Sequence, residues 1–276
     1  MRLTARLVAG FDHVVVAVRD LTKAVAAYEL LLGRRAIVDD GADGVATALI
    51  VTGNIAVELM APTGGSETAL RLGATIDEGG EGLKSLVFAT LDLARMHRRA
   101  ERVGLEPEPI VARERGGKAW ESFRASTQCT NGVRLFFIQR AAPLPSEPAS
   151  EAGVVGLDHV MIRTSAPERA AALYGARLGL DMRLDREIER RRLMFFRGGD
   201  ASLEVVQEVA LNDGRDQLWG LSWRVAEADA ARARLAGAGL DVSEVRMGMK
   251  PGTRVFTVRD GTCGVPTLVV EAAALG

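Results

Sequence analysis

The sequence predicts an α+β protein made of four βαβββ units in two tandem domains. Three observations carry this. The segment "FDHVVVAV" (11–18) returns as "LDHVMIRT" (157–164). A stretch with three prolines, "AAPLPSEPASEAG" (141–153), reads as a linker between halves of about 140 and 123 residues. Inside each half, one helix-then-strands pattern runs twice, and a repeat of this kind decides the fold before any single element does. The expected boundaries are 8–140 for the first domain, 141–153 for the linker and 154–273 for the second domain.

Each half opens on its Asp-His strand. A helix follows, "DLTKAVAAYELLLG" or "APERAAALYGARLGL", with Ala and Leu at helical spacing and a tyrosine (Tyr28, Tyr174) ahead of a glycine stop. Short strands come next and end in "NIAVELMAP" (54–62) and "DASLEVVQE" (200–208). The pattern then restarts: "GLKSLVFATLDLARMHRRAERVGLEP" matches "LWGLSWRVAEADAARARLAGAGLDV" in order and spacing. The last strands are "NGVRLFFIQR" (131–140) and "CGVPTLVVEA" (263–272), with Cys129 and Cys263 in corresponding turns.

One unit of this length cannot bury both faces of its own sheet. Two units side by side can form a curved, cup-shaped mixed sheet with helices outside and a cavity inside. Strict alternation would put Phe11, His13, Val15 and Ala17 on one face and Asp12, Val14, Val16 and Val18 on the other.

Composition narrows the function. The net charge is −1 with no basic stripe, which argues against a nucleic-acid partner. No apolar run is long enough to span a membrane, and no signal-peptide core is evident. Two cysteines without a CxxC motif fit a cytoplasmic chain with free thiols. Ser85, Ser122 and Ser222 carry no nucleophile-elbow signature, which argues against a serine hydrolase. His97 lies beside the apolar stripe of its helix, among arginines, and reads as a solvated surface residue.

The tandem βαβββ unit, with "DHV" on its first strand and "VELMAP" on its fourth, resembles the vicinal oxygen chelate superfamily. That group includes glyoxalase I, methylmalonyl-CoA epimerase, extradiol dioxygenases and the bleomycin resistance proteins. The resemblance covers nearly the whole chain outside the linker. It implies a divalent metal (Zn, Fe, Mn or Ni) in a cup, with ligands on the first and last strands of each unit. Carried over, these are His13 and Glu58 in the first half and His159, Glu204 and Glu271 in the second. Gln139 is a poor third donor for the first half. Glu271 is expected either as a third ligand or as the catalytic base. In units two and four the first-strand position falls near Ser85 and Gly220, so neither supplies a histidine.

Two readings stay open. The first is a metal-assisted enzyme on a small oxygenated organic molecule, of isomerase, epimerase, lyase or dioxygenase type. The second is a metal-free small-molecule binding protein of the bleomycin-resistance type. In either, Trp219 and Trp223 are candidates to line the cavity, and Lys250 and Arg254 to hold an anionic substrate group. The partner is a small molecule, with neither nucleic acid nor membrane, and the scaffold leaves room for a homodimer.

Overall fold

Both halves fold through one order of elements. The computed structural model describes residues 7–39, 41, 43–115, 117–146, 148–211 and 213–273. The first half runs β1 (Val8–Ala17), α1 (Leu21–Leu32), β2 (Ile37–Asp39), β3 (Val45–Val51), β4 (Ala56–Pro62) and α2 (Glu67–Gly79). It continues through β5 (Gly82–Thr90), α3 (Leu93–Arg102), β6 (Val111–Arg115), β7 (Lys118–Arg124) and β8 (Arg134–Arg140). The second half runs β9 (Gly156–Thr164), α4 (Pro167–Ala171, extended by a wider turn to Arg177), β10 (Asp181–Ile188), β11 (Arg191–Gly198) and β12 (Ala201–Gln207). It ends with β13 (Gln217–Val225), α5 (Ala228–Gly237), β14 (Arg246–Met247), β15 (Arg254–Val258) and β16 (Thr267–Glu271).

The two eight-stranded sheets share one topology: β2-β3-β4-β1-β5-β8-β7-β6 and β10-β11-β12-β9-β13-β16-β15-β14. In each, the pair spanned by the second helix is parallel, β5 with β8 and β13 with β16. The outer pairs are antiparallel hairpins. The helices pack on these strands: α1 on β3 and β4, α3 on β7 and β8, α4 on β12, and α5 on β15 and β16. Among the described residues no helix is long and apolar enough to cross a membrane.

Packing gathers the residues into two bodies, each drawing on both halves. One takes in residues up to His13, Ser85–Leu144 and Val160–Leu218; the other takes in Val14–Lys84, Pro145–His159 and Trp219 onward. The core of the first body is a run of rings. Phe11 meets Phe88 at 5.4 Å between centroids, Phe88 meets Phe137 at 5.7 Å, and Phe137 meets Phe123 at 4.9 Å. His97 closes that run with its edge on Phe123 at 4.9 Å, while its Nε2 reaches the Glu108 carbonyl. The expectation of a solvated His97 is therefore corrected, because the ring offered an apolar face for it to cover. The second body is built on Tyr28, Trp223 and Phe256, all fully buried. Tyr28 donates its hydroxyl to the Thr262 carbonyl, the partner a buried phenol requires.

Short sequence signals set the helix ends. Asp20 caps α1 by accepting from the Lys23 amide, and Gly33 closes it in the left-handed region at φ 64°. Asp92 caps α3 in the same way, accepting from Arg95. Glu227, which precedes α5, makes no side-chain cap. The last strand of each sheet supplies a further acceptor. Gln139 Oε1 takes the Leu93 amide at 2.8 Å, and Glu271 Oε2 takes the Ala228 amide at 2.7 Å.

Candidate functional site

The second Asp-His pair forms a continuous hydrogen-bonded chain. His159 Nδ1 lies 2.8 Å from Asp158 Oδ1, and His159 Nε2 lies 2.7 Å from Ser222 Oγ. An ionised carboxylate only accepts, so Nδ1 carries the proton, and Nε2 of the neutral ring accepts from the serine hydroxyl. Both His159 and Ser222 are buried, at 9% and 3% exposure. Burial works to raise the Asp158 carboxyl. The hydrogen bond from His159, the charge of that ring whenever it is protonated, and the charges of Arg224 and Lys250 outweigh it and hold the group below the ordinary carboxylate range.

The register fixes which residues share this face. Ser222 is opposite Leu268 and Arg224 is opposite Val270, so Ser222, Arg224, Leu268 and Val270 stand together. Leu221, Trp223 and Val225 turn the other way, with Thr267, Val269 and Glu271. The first half has apolar residues at the matching points: Val87 is opposite Phe136 and Ala89 is opposite Ile138.

The first Asp-His pair is braced differently. His13 Nδ1 meets Asp12 Oδ1 at 2.6 Å. Arg140 then forks onto the same carboxylate, with Nε at 2.8 Å and Nη2 at 2.7 Å. Burial acts to raise Asp12, but the bonds from His13 and Arg140 prevail and lower it from 3.8 to about 2. Arg140 also lies over the Trp120 ring at 5.7 Å. The expected alternation of β1 does not hold here. Phe11 turns to Phe88, while Asp12 and His13 meet each other rather than pointing apart.

The other sequence-predicted residues are placed as follows. Glu271 does not share the Ser222 face. Its neighbour in register is Val225, its carboxylate takes the first amide of α5, and Arg254 Nη1 lies 3.4 Å away. Arg254 faces the same way as Glu271 and pairs with Asp229 of α5 at 2.7 Å. An odd offset along the strand is the reason both side chains turn to the helix. Trp223 is 0% exposed and belongs to the core rather than to a ligand surface. Trp219 is half-buried, and Lys250 is exposed in the turn ahead of β15. Glu58 sits opposite Leu49 on β4, and Glu204 is buried opposite Phe195 on β12.

A catalytic divalent metal takes three or more nitrogen or oxygen ligands. Among the described residues, no group of three or more His, Cys, Asp and Glu side chains is gathered to hold one. The expected trio of His159, Glu204 and Glu271 does not come together. Instead Glu271 caps a helix and His159 Nε2 meets a serine.

Motif reasoning passed over Arg224 and Arg140, weighed Ser222 only as a nucleophile, and noted Asp12 and Asp158 only as part of the repeated strand. A position-by-position comparison of the two copies carried the signal, since "LVFA" (86–89) becomes "LSWR" (221–224).

The doubled βαβββ scaffold with an Asp-His pair on each opening strand defines a tandem protein of the glyoxalase type. The glyoxalase-like domain family matches residues 11–179. The glyoxalase/bleomycin resistance protein/dioxygenase superfamily matches residues 158–257. The chain belongs to this family, within the vicinal oxygen chelate superfamily. No curated protein matches the sequence. Among solved structures, a triple mutant of 4-hydroxymandelate synthase from Streptomyces coelicolor is similar with a TM-score of 0.78 at 14% identity, over 98% of this chain and 94% of that one. The Mn(II)-bound glyoxalase from Novosphingobium aromaticivorans is similar with a TM-score of 0.72 at 13% identity, over 96% and 82%. A catechol 2,3-dioxygenase is similar with a TM-score of 0.65 at 15% identity, over 97% and 89%. At these identities the likeness speaks for the fold.

Proposed function

We propose that the chain is an enzyme that moves a proton on a small oxygenated organic molecule, in the manner of an isomerase or epimerase, with His159 as the base. One observation carries the reading: both ring nitrogens of His159 are engaged, Nδ1 by Asp158 and Nε2 by Ser222. Asp158 fixes the tautomer and favours the imidazolium that forms on proton uptake. The substrate's proton passes to Ser222 Oγ as the serine proton passes to Nε2. A C–H bond breaks, an O–H bond forms on Ser222, and an N–H bond forms on His159. The electron pair moves onto the adjacent carbonyl oxygen as an enolate. Reversal returns the proton to carbon.

The rival reading is divalent-metal chemistry, with His13, Glu58, His159 and Glu204 as candidate ligands. What favours it is the carboxylate on Nδ1 of each histidine, an arrangement that metal-binding histidines also use. The donor set argues against it, since no trio is gathered among the described residues. The test uses a panel of small 2-oxo and 2-hydroxy acids, esters and amides in D2O, with loss of the C–H signal followed by proton NMR. The expected result is exchange that survives metal stripping and is lost in His159→Gln. Exchange abolished by stripping and restored by Mn(II) would instead establish the metal-assisted reading.

A further inference from the structure

Arg224 has no evident structural task. It projects from the Ser222 face of β13, one residue beyond Trp223 and two beyond Ser222. Its main-chain carbonyl accepts from the Val155 amide, which fixes the backbone. Its Nη2 lies over Gly156, 3.5 Å from where a Cβ at that glycine would stand. The glycine at the start of β9 makes room for Asn54, whose Oδ1 would lie 2.6 Å from such a Cβ, and the guanidinium rests beside it at ordinary contact distance. Among the described residues its Nε–H is buried without an acceptor, and Arg224 enters no ion pair. Buried guanidinium donors are ordinarily satisfied, because an unmet one forfeits its hydration for nothing. Lys250 is likewise without an ion-pair partner among the described residues. The first half, which lacks this chain of hydrogen bonds, has Ala89 at the matching point.

We infer that Arg224 grips the carboxylate of the substrate beside the Ser222–His159 pair, with Lys250 adding a second positive charge. This rests on the proposed proton-transfer reading of the same site and names the substrate class, a small organic acid whose reacting C–H is within one or two bonds of its carboxylate. The geometry of the group suits the role. Nε and the adjacent Nη of an arginine present two parallel donors that match the two oxygens of a carboxylate. Arg224 stands two residues from Ser222 on the same face of β13, so an anion bound by it would lie close to the histidine that Ser222 meets, and the charges of Arg224 and Lys250 both act on Asp158. Binding an acid next to two cations also eases enolate formation, because the charge that develops is met by groups already in place.

The probes are oxalate, malonate and 2-oxobutanoate, each titrated by calorimetry against its amide. The acids are expected to bind saturably and the amides at least tenfold more weakly. Arg224→Gln should weaken acid binding tenfold or more and leave the weak amide binding unchanged. Arg224→Lys should recover part of the loss, and Lys250→Gln should produce a smaller one. Arg224→Lys and Lys250→Gln keep the question answerable should Arg224→Gln fail to fold. Equal affinity for acid and amide, or acid binding unaffected by all three substitutions, overturns the assignment. Acid binding that depends on Arg224, together with exchange that survives His159→Gln, leaves the clamp standing and removes the proton-transfer reading instead.

Discussion

His159 Nε2 stands 2.7 Å from the hydroxyl of Ser222, whereas the first half has Val87 where the second has Ser222. The two Asp-His pairs arose at one position of a repeated unit, yet their surroundings have separated. Arg140 clamps the first Asp into an ion pair, and a serine meets the second His. A clamped carboxylate suits a stable scaffold, while a histidine in contact with a hydroxyl suits proton movement. On the proposed reading, this asymmetry favours the second half for the chemistry.

Ser222→Ala tests that assignment. Removing the hydroxyl deletes one neutral hydrogen bond, worth about 1 kcal/mol of stability. It also interrupts the proton path, so exchange should fall by roughly 10²- to 10⁴-fold, the usual span for a lost acid–base group. Thermal melts and deuterium exchange on one preparation separate the two effects. Exchange at the wild-type rate would remove Ser222 from the path.

Asp12 contributes to the stability of the fold at acid pH. Its carboxyl is lowered from 3.8 to about 2, so its stabilising contribution is full above pH 4 and is lost as pH falls from about 4 through 2. A shift of this size corresponds to about 2 kcal/mol. Arg140→Met should reduce the pH dependence in that window and cost roughly 1.5–3 kcal/mol near neutral pH, because the buried carboxylate loses a charged hydrogen-bond partner and keeps His13. Denaturant titrations between pH 2 and 7 on both proteins would show it.

Metal removal supplies a third expectation. Because no three donors are gathered among the described residues, dialysis against a chelator should leave the melting temperature and acid binding unchanged. Elemental analysis before and after, with a melt of each sample, measures both. A drop of several degrees that Mn(II) or Zn(II) reverses would mean that ligands assemble around the ion.

The fold was legible because duplication wrote it twice. "DHV", the tyrosine–glycine helix ends and the restarting strands each occur in both halves, and agreement between copies compensates for weak local signals. The site was only partly legible. His13 and His159 stood out as titratable residues in apolar strands. Asp12 and Asp158 looked like residues of the opposite face, because strict alternation separates neighbours, yet each bonds the histidine beside it. Arg140 meets Asp12 from 128 residues away, a pairing that follows from sheet order and not from spacing. Glu271 lies away from the Ser222 face for a different reason. Its strand was located correctly, but one step of parity decides between the site and the helix, and composition is silent on a single step.

That step gives the last prediction. Glu271 Oε2 accepts the Ala228 amide at the start of α5, where Glu227 makes no side-chain cap of its own. A carboxylate there satisfies an orphan N–H and meets the positive end of the helix dipole. Glu271→Ala should therefore cost about 0.5–2 kcal/mol, as a lost cap does. Glu271→Gln keeps an acceptor at the same point, as Gln139 does for Leu93 in the first half, and should recover most of that loss. A ligand or catalytic base would behave in the opposite way: glutamine would abolish exchange as completely as alanine, with little change in stability. Melting curves and exchange rates for the two variants separate these outcomes. The helix-cap role requires that stability follow the presence of an acceptor while the exchange rate stays within a few-fold of wild type in both.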